Sequence, residues 1–118
     1  MIVHQVGNSN SILNKFIAEI RDEAIQKVAL RFRRNIERIG EVLGYEFSKS
    51  IDYERQAVKT PLGIKNTYLP SKKIVICSIL RAGLPLHQGL LNYFDDAKNA
   101  FVAAYRHHPK NNTNFEIM

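Results

Sequence analysis

The residues of this sequence best suited to chemistry are a cation and a short turn that interrupt an apolar run. Residues 73–89 read KIVICSILRAGLPLHQG, and the β-branched side chains at their start predict a strand buried on both faces. Arg81, Ala82 and Gly83 then predict a turn, and Pro85 stands where a helix can begin. Because strand ends and helix N-termini are where α/β proteins bind anions, this turn predicts an anion site.

A second cation follows a second apolar run. Residues 100–105 read AFVAAY and predict another buried strand, which Arg106 follows directly. Between the two runs, residues 85–94 carry apolar side chains at helical spacing, and Asp95 and Asp96 then predict a turn. Strand, helix and strand in this order predict a βαβ unit with parallel strands and a right-handed crossover.

The residues after Arg106 do not predict a metal site. His107 and His108 are adjacent, which is poor geometry for two ligands of one metal, and no third ligand is evident. The polar run that follows predicts the tip of a hairpin, and residues 114–117 predict the start of a returning strand.

Two amphipathic helices are predicted upstream. The first has apolar residues at 13, 16, 17 and 20 and ends near Arg21 or Asp22, and a short strand at 2–6 precedes it. The second keeps one apolar face from Ile25 to Phe47, and we expect this face to pack on a sheet rather than form a coiled coil. Gly40 and Gly44 within it indicate either a close approach by another backbone or a helix that frays before Tyr45.

The same helix carries a basic cluster formed by Arg31, Arg33, Arg34 and Arg38. This cluster has two interpretations, a nucleic-acid patch or a solvated or interface-forming helix face. The second is favoured, since no aromatic residues interleave to stack bases.

Residues 51–70 do not continue the helical pattern of the residues before them. A strand is predicted at 56–60, a turn at Thr60 to Gly63, and a loop that includes Asn66 and Thr67.

The bulk properties indicate one globular domain. The 118 residues are 45% hydrophobic and carry a net charge of +6, a bias that suits polyanionic partners such as nucleotides but also an ordinary basic surface. We expect a single domain, 1–118, with a helical segment at 1–50 and a sheet core and arm at 51–118. The one cysteine, Cys77, is predicted to be buried, and a reducing, cytoplasmic location fits it. No run of residues is long and apolar enough to span a bilayer.

Four phrases in order carry a resemblance to a known family. They are FRRNIERIGEVLGYE at 32–46, VKTPLG at 58–63, SILRAGLPLHQGLL at 78–91 and AAYRHH at 103–108. Together they resemble the uracil phosphoribosyltransferases, and the similarity runs from about Ser11 to the end of the chain. The resemblance implies a partial type I phosphoribosyltransferase fold. In that α/β fold, N-terminal helices pack on a parallel β-sheet with a βαβ unit and a C-terminal β-hairpin arm.

The resemblance also implies an activity and a site. Uracil and 5-phosphoribosyl 1-diphosphate would give UMP and diphosphate in pyrimidine salvage, with Mg²⁺ bound to the substrate. By position, Arg81 and Arg106 would contact the diphosphate, and Ala82 and Gly83 would let backbone N–H groups approach it. No catalytic residue is assigned within these 118 residues.

The family's Thr-Gly-Gly loop, its accompanying acidic residue and its uracil-recognition segment have no counterpart here. The chain therefore resembles roughly the N-terminal half of a complete member, and we expect these 118 residues alone to be inactive. A homodimer or higher homo-oligomer is expected, with no DNA or membrane partner.

Two alternatives remain. One is a non-catalytic nucleotide- or RNA-binding regulator on the same fold. The other is an assembly role, in which the long helix and the hairpin after Arg106 form a symmetric interface.

Overall fold

Two helices form the first part of the molecule. The computed structural model of the chain describes residues 2–104, 106–107 and 116–117, the last two pairs by their backbone alone. A short 3-10 helix, Val6–Asn8, precedes helix α1, Leu13–Arg21, and helix α2, Ala29–Ser48. The predicted end of the first helix is confirmed. The strand predicted at 2–6 is wrong, because Ile2 and Val3 are exposed and have no neighbouring strand among the described residues.

The second helix begins later than predicted, at Ala29 rather than Ile25. The cause is local. The Asp22 carboxylate accepts the backbone N–H groups of Ala24, at 2.9 Å, and Ile25, at 3.3 Å. Such side-chain bonds favour a turn over a continuing helix, so Ile25 lies in the connection.

A long β-hairpin follows. Strand β1, Tyr53–Thr60, pairs antiparallel with strand β2, Gly63–Pro70. Gly63 has a φ of 133°, which other residues rarely adopt and which closes the two-residue loop. The predicted turn is confirmed. The predicted loop at Asn66 and Thr67 is wrong, because both residues pair within the hairpin, with Ala57 and Gln56.

The predicted βαβ unit is confirmed. Strand β3, Val75–Leu80, leads through helix α3, Leu84–Leu91, to strand β4, Lys98–Ala103, which pairs parallel to β3. Strand β4 lies two residues earlier than predicted, since the Lys98 N–H donates to Ile74 O at 3.1 Å and starts the register there. The residues Asp95 and Asp96 form the predicted turn.

Two short strands close the described chain. Strand β5, Arg106–His107, pairs antiparallel with strand β6, Glu116–Ile117. This pairing agrees with a returning strand at the C-terminal end. The predicted hairpin tip lies outside the described residues.

The helices reach the sheet through α3. Helix α1 packs on α2, α2 on α3, and α3 on β3. At the α2–α3 crossing, a Cβ at Gly40 would lie 2.5 Å from Leu86 O, and a Cβ at Gly89 would lie 2.9 Å from Gly40 Cα. The close approach by another backbone is confirmed at Gly40. At Gly44 the nearest atoms are instead side-chain atoms of Leu90, Tyr93 and Phe94. Fraying is excluded, because α2 continues through Tyr45 to Ser48.

One face of the β3–β4 sheet is open. Helix α3 covers the face that carries Ile76 and Ser78, whereas Val75 and Ile79 on the other face are 62% and 61% exposed. Cys77 shares that open face and is exposed. The expectation of a strand buried on both faces, with a buried thiol, is therefore wrong, since the described chain lays a helix on one side only.

Among the described residues, no helix is long and apolar enough to cross a membrane.

Candidate functional site

The predicted anion site is a tight turn at the carboxyl end of β3. The Gly83 N–H donates to Ile79 O at 3.0 Å, and the Leu84 N–H donates to Arg81 O at 3.1 Å. The peptide bond between Leu80 and Arg81 is cis. Arg81 and Ala82 are exposed, and within the described part of the chain Arg81 has no ion-pair partner. The turn thus presents an exposed guanidinium from a hydrogen-bonded backbone.

Gly83 is required here for space. Its φ of −75° suits any residue, but a Cβ would lie 2.7 Å from Ile79 O and 3.4 Å from Ser78 Cβ. Its N–H is used within the turn. The N–H of Ala82, by contrast, has no backbone acceptor among the described residues, so Ala82 is the better placed of the two to donate to an anion.

Helix α3 starts directly at this turn. Pro85 stands in the first turn of the helix, where its missing N–H costs no hydrogen bond. Gly83 is the N-cap and has no side-chain cap, and its carbonyl accepts the His87 N–H at 2.9 Å. The positive end of the helix dipole therefore lies beside Arg81, and both favour a bound anion.

Arg106 follows the neighbouring strand. Leu80 pairs with Ala103 at the ends of β3 and β4, so Arg81 and the residues after Ala103 leave the sheet at the same edge. Arg106 begins β5 three positions later. The structure brings Arg81, Ala82 and Gly83 into one turn, and it places the Arg106 backbone beyond the adjacent strand end.

A buried histidine lies beneath the turn, and its contacts were not predicted from the sequence. His87 is 3% exposed. Its Nδ1 lies 2.6 Å from Ser78 Oγ and its Nε2 2.7 Å from Asn99 Oδ1. The ring stacks on Phe101 with centroids 4.9 Å apart. The signal in the sequence was the polar pair Ser78 and Asn99 inside two apolar strands, with a histidine on the helix between them.

The basic cluster of α2 is largely engaged within the protein. Arg31 pairs with Glu19 at 2.6 Å. Arg38 donates to Asn35 Oδ1 at 3.2 Å and lies over the Phe16 ring. These contacts join α1 to α2, because Asn35, fully buried, also donates to Glu19 Oε2 at 2.8 Å. The hydrogen bonds from Arg31 and then Asn35 hold the pKa of Glu19 below its ordinary value.

The remaining cations of this cluster lie near the turn. Arg33 and Arg34 line a cavity of about 310 Å³ together with Leu84 and Pro85 at the start of α3. Arg34 also pairs loosely with Glu37, at 3.8 Å. These two arginines therefore lie beside the start of α3, where Glu37 lines the same cavity.

No metal-binding cluster of three or more His, Cys, Asp or Glu side chains is found in the part of the chain that the structure describes. His107 belongs to β5, described by its backbone alone, and His108 lies outside the described residues.

The sequence is similar to known proteins along almost its whole length. The family model described as "Uracil phosphoribosyltransferase" matches residues 7–117. A uracil phosphoribosyltransferase from Porphyromonas gingivalis is 52% identical over 117 residues, which cover 99% of this chain and 54% of the relative. One from Sulfolobus acidocaldarius is 38% identical over 101 residues, covering 83% of this chain and 46% of the relative.

The fold is similar to a solved structure as well. The AQ2163 protein from Aquifex aeolicus superposes with a TM-score of 0.76 at 27% identity, over 100% of this chain and 54% of that one. The chain spans about half the length of the curated relatives it matches.

Proposed function

Because the chain belongs to the uracil phosphoribosyltransferase family, we propose that it takes part in the transfer of a phosphoribosyl group to uracil. The substrates are uracil and 5-phosphoribosyl 1-diphosphate, and the products are UMP and diphosphate. A bond from a uracil nitrogen to C1 of the ribose forms as the bond from C1 to the diphosphate oxygen breaks. The diphosphate leaves with the electron pair of that bond, and the proton of the uracil nitrogen is released to the departing diphosphate or to water.

The observation that carries this proposal is the exposed guanidinium of Arg81 on a hydrogen-bonded turn. Negative charge grows on the diphosphate as it departs, and cations already in place stabilise that charge without reorganising. A planar guanidinium donates two parallel hydrogen bonds to phosphate oxygens, which fixes orientation as well as charge. The Ala82 N–H and the N-terminus of α3 supply further positive ends at the same place.

Arg106 is proposed as the second cation on the diphosphate. It follows β4, whose end pairs with the end of β3 beside Arg81. Mg²⁺ is proposed to arrive with the diphosphate as part of the substrate. No base-binding role is proposed for the residues of this chain.

Binding of Mg²⁺ and 5-phosphoribosyl 1-diphosphate, measured by calorimetric titration, tests the proposal. We expect Arg81→Ala to weaken binding about 10- to 100-fold, since hydrogen bonds to charged groups contribute about 1.5–3 kcal/mol. Arg81→Lys keeps the charge but loses the paired donors, so its affinity is expected to fall between those of Arg81→Ala and the unsubstituted chain.

Arg55→Ala is the matched control, because Arg55 is an equally charged, exposed residue on β1. It is expected to leave the affinity unchanged. Equal losses of affinity in Arg55→Ala and Arg81→Ala would show that binding depends only on net charge. That result would contradict a specific site at Arg81.

A homodimer is proposed through the hairpin arm that β1 and β2 form, and not through the predicted hairpin after Arg106. Both strands are mostly exposed, with Ile64 at 75% and Tyr68 at 68%. A lone two-stranded hairpin is only marginally stable in water, so an arm of this kind gains stability by packing on a second copy. A cytoplasmic location is also proposed, because a single exposed thiol, Cys77, suits a reducing compartment.

A further inference from the structure

We propose that His87 is a positioning residue. It holds the turn at 81–84 in its anion-binding arrangement through hydrogen bonds to strands β3 and β4. The benefit of this role to diphosphate binding rests on the proposed function. The effect of His87 on the geometry of the turn rests only on the contacts of His87. The hydrogen bonds of the His87 ring go to Ser78 and Asn99 and not to the residues of the predicted diphosphate site, so the ring acts through the turn.

The hydrogen-bonding roles of the ring follow from its partners. The Asn99 side-chain oxygen only accepts, so His87 Nε2 carries a proton and donates to it across 2.7 Å. In the neutral ring Nδ1 then accepts from the Ser78 hydroxyl, 2.6 Å away. One side chain on α3 thereby joins the middle of β3 to the start of β4, and the arrangement uses both ring nitrogens.

The same residue also fixes the turn through its backbone. The His87 N–H donates to Gly83 O at 2.9 Å, and the Gly83 N–H donates to Ile79 O at 3.0 Å. Ser78, the partner of the ring, adjoins Ile79 and lies in contact range of the position a Gly83 Cβ would occupy. A shift of the His87 ring would therefore move both ends of the turn that carries Arg81.

The burial of the His87 ring favours this one set of hydrogen bonds. His87 is 3% exposed and its ring stacks on Phe101 with an interplanar angle of 28°. The ring nitrogens are therefore buried polar groups that need protein partners. Asn99 is exposed and Ser78 is partly buried, so without the imidazole nitrogens both can bond water, and the direct link from α3 to β3 and β4 is lost.

Two substitutions separate the hydrogen bonds from the packing. His87→Phe keeps a ring against Phe101 but removes both nitrogens, whereas His87→Gln restores one donor and one acceptor without the ring. Gln88→Ala is the control on the same helix, because Gln88 is exposed and bonds only to Asn92, away from the turn.

Amide hydrogen exchange of residues 81–84 and the affinity for Mg²⁺ with inorganic diphosphate are measured for each variant, well below its melting temperature. In His87→Phe we expect exchange at Gly83 and Leu84 to rise about tenfold more than at the centre of β3, and the affinity to fall about tenfold. His87→Gln is expected within about threefold of the unsubstituted chain in both readouts, and Gln88→Ala unchanged.

Equal exchange increases throughout the protein in His87→Phe, or failure of His87→Gln to restore the turn, would overturn the positioning role. If the unsubstituted chain binds no diphosphate while the turn loosens selectively in His87→Phe, the proposed function fails and the positioning role stands. Should His87→Phe not fold, Ser78→Ala replaces it, since it removes one hydrogen bond and leaves the ring on Phe101.

Discussion

Arg81 is held by its backbone, and no other side chain of the described residues forms a hydrogen bond or ion pair with it. The turn bonds at Gly83 and Leu84 fix the chain around it, while its exposed guanidinium has no ion-pair partner among the described residues. The basic residues Arg31 and Arg38 show the opposite behaviour, since each contacts a partner within the protein. Position and exposure therefore support the proposal that Arg81 binds an anion.

The sequence predicted this cation because residue type and location suffice for it. An arginine and a glycine directly after an apolar run indicate a cationic turn whatever the rest of the fold does. The His87 network could not be predicted in the same way. It depends on the parallel register that brings Asn99 of β4 opposite Ile76 of β3 and within reach of α3, and register is a property of the pairing, not of either segment alone.

The contacts of Glu19 predict that the link between α1 and α2 weakens at acid pH. Its pKa is lowered in the folded protein, first by the hydrogen bond from Arg31, so it stabilises the fold fully above its ordinary value of 4.5. That contribution is lost as the pH falls through the lower, folded pKa. In thermal melts from pH 7 to pH 3, we expect Glu19→Gln to flatten the fall of the melting temperature at the acid end.

Glu23→Gln is the control, because Glu23 forms no ion pair in the described part of the chain. An acid profile that is unchanged in Glu19→Gln would show that this link does not contribute to the stability of the fold.

The α2–α3 pair is the element that carries the turn on the rest of the protein. The two helices meet at Gly40 and Gly89, where there is no room for a side chain. At the far end of α3, Asn92 donates to Glu37 and Glu41 of α2 at 3.0 and 2.7 Å. The start of α3, and with it the turn, is thus located by packing against a long helix.

Gly89→Ala is expected to destabilise this contact strongly. The new Cβ would overlap Glu37 O and lie 2.9 Å from Gly40 Cα, both backbone atoms that a rotamer change cannot move. Overpacking of this kind costs about 1–3 kcal/mol. Urea denaturation is expected to show a fall in the free energy of unfolding of that size. Gly7→Ala, where nothing lies within 4 Å, is expected to change it by less than about 0.5 kcal/mol.

The paired glycines illustrate what periodicity can predict about elements. Two glycines four residues apart in an apolar helix indicated a close neighbour, which is correct. The pattern did not identify that neighbour as α3 in place of a sheet strand, since the partner glycine, Gly89, lies 49 residues further along. Helix α2 began late for a related reason, because the Asp22 side chain outcompetes helical periodicity in the connection.

The contacts of the arginines on α2 argue against the RNA-binding alternative. Arg31 and Arg38 are used to join α1 to α2, and Arg33 and Arg34 lie beside the start of α3. The face therefore does not present four free cations in a row. A salt-dependent RNA complex abolished by Arg33→Ala, Arg34→Ala and Arg38→Ala together would restore this alternative.

The whole molecule is elongated. It measures 70 × 32 × 28 Å, with a radius of gyration of 18.8 Å against about 13–14 Å for a compact domain of this length. Leu13, Ile76 and Ala97 are the buried hydrophobic residues of the described chain. The sequence predicted sufficient apolar residues for a core, but their number does not determine how many faces are covered, and here one face of the sheet and the hairpin arm are open.

We expect one surface substitution on the arm to weaken self-association of the chain. Tyr68 projects from the same face of β2 as Ile64 and is 68% exposed. We expect Tyr68→Asp to shift sedimentation from dimer to monomer, because a buried, unpaired charge is costly. Thr67→Asp adds the same charge to the other face and is expected to leave the dimer intact. A monomeric unsubstituted chain at all concentrations would contradict the arm's proposed role.

Mapping where diphosphate binds tests the proposed anion site directly. In ¹⁵N-labelled protein titrated with Mg²⁺ and inorganic diphosphate, we expect the largest amide shifts at residues 81–84 and in the first turn of α3. We expect these shifts to be lost in Arg81→Ala and kept in Arg55→Ala. Shifts centred on the basic face of α2 between Arg31 and Arg38, or no saturable shifts at 81–84, would contradict the proposed site.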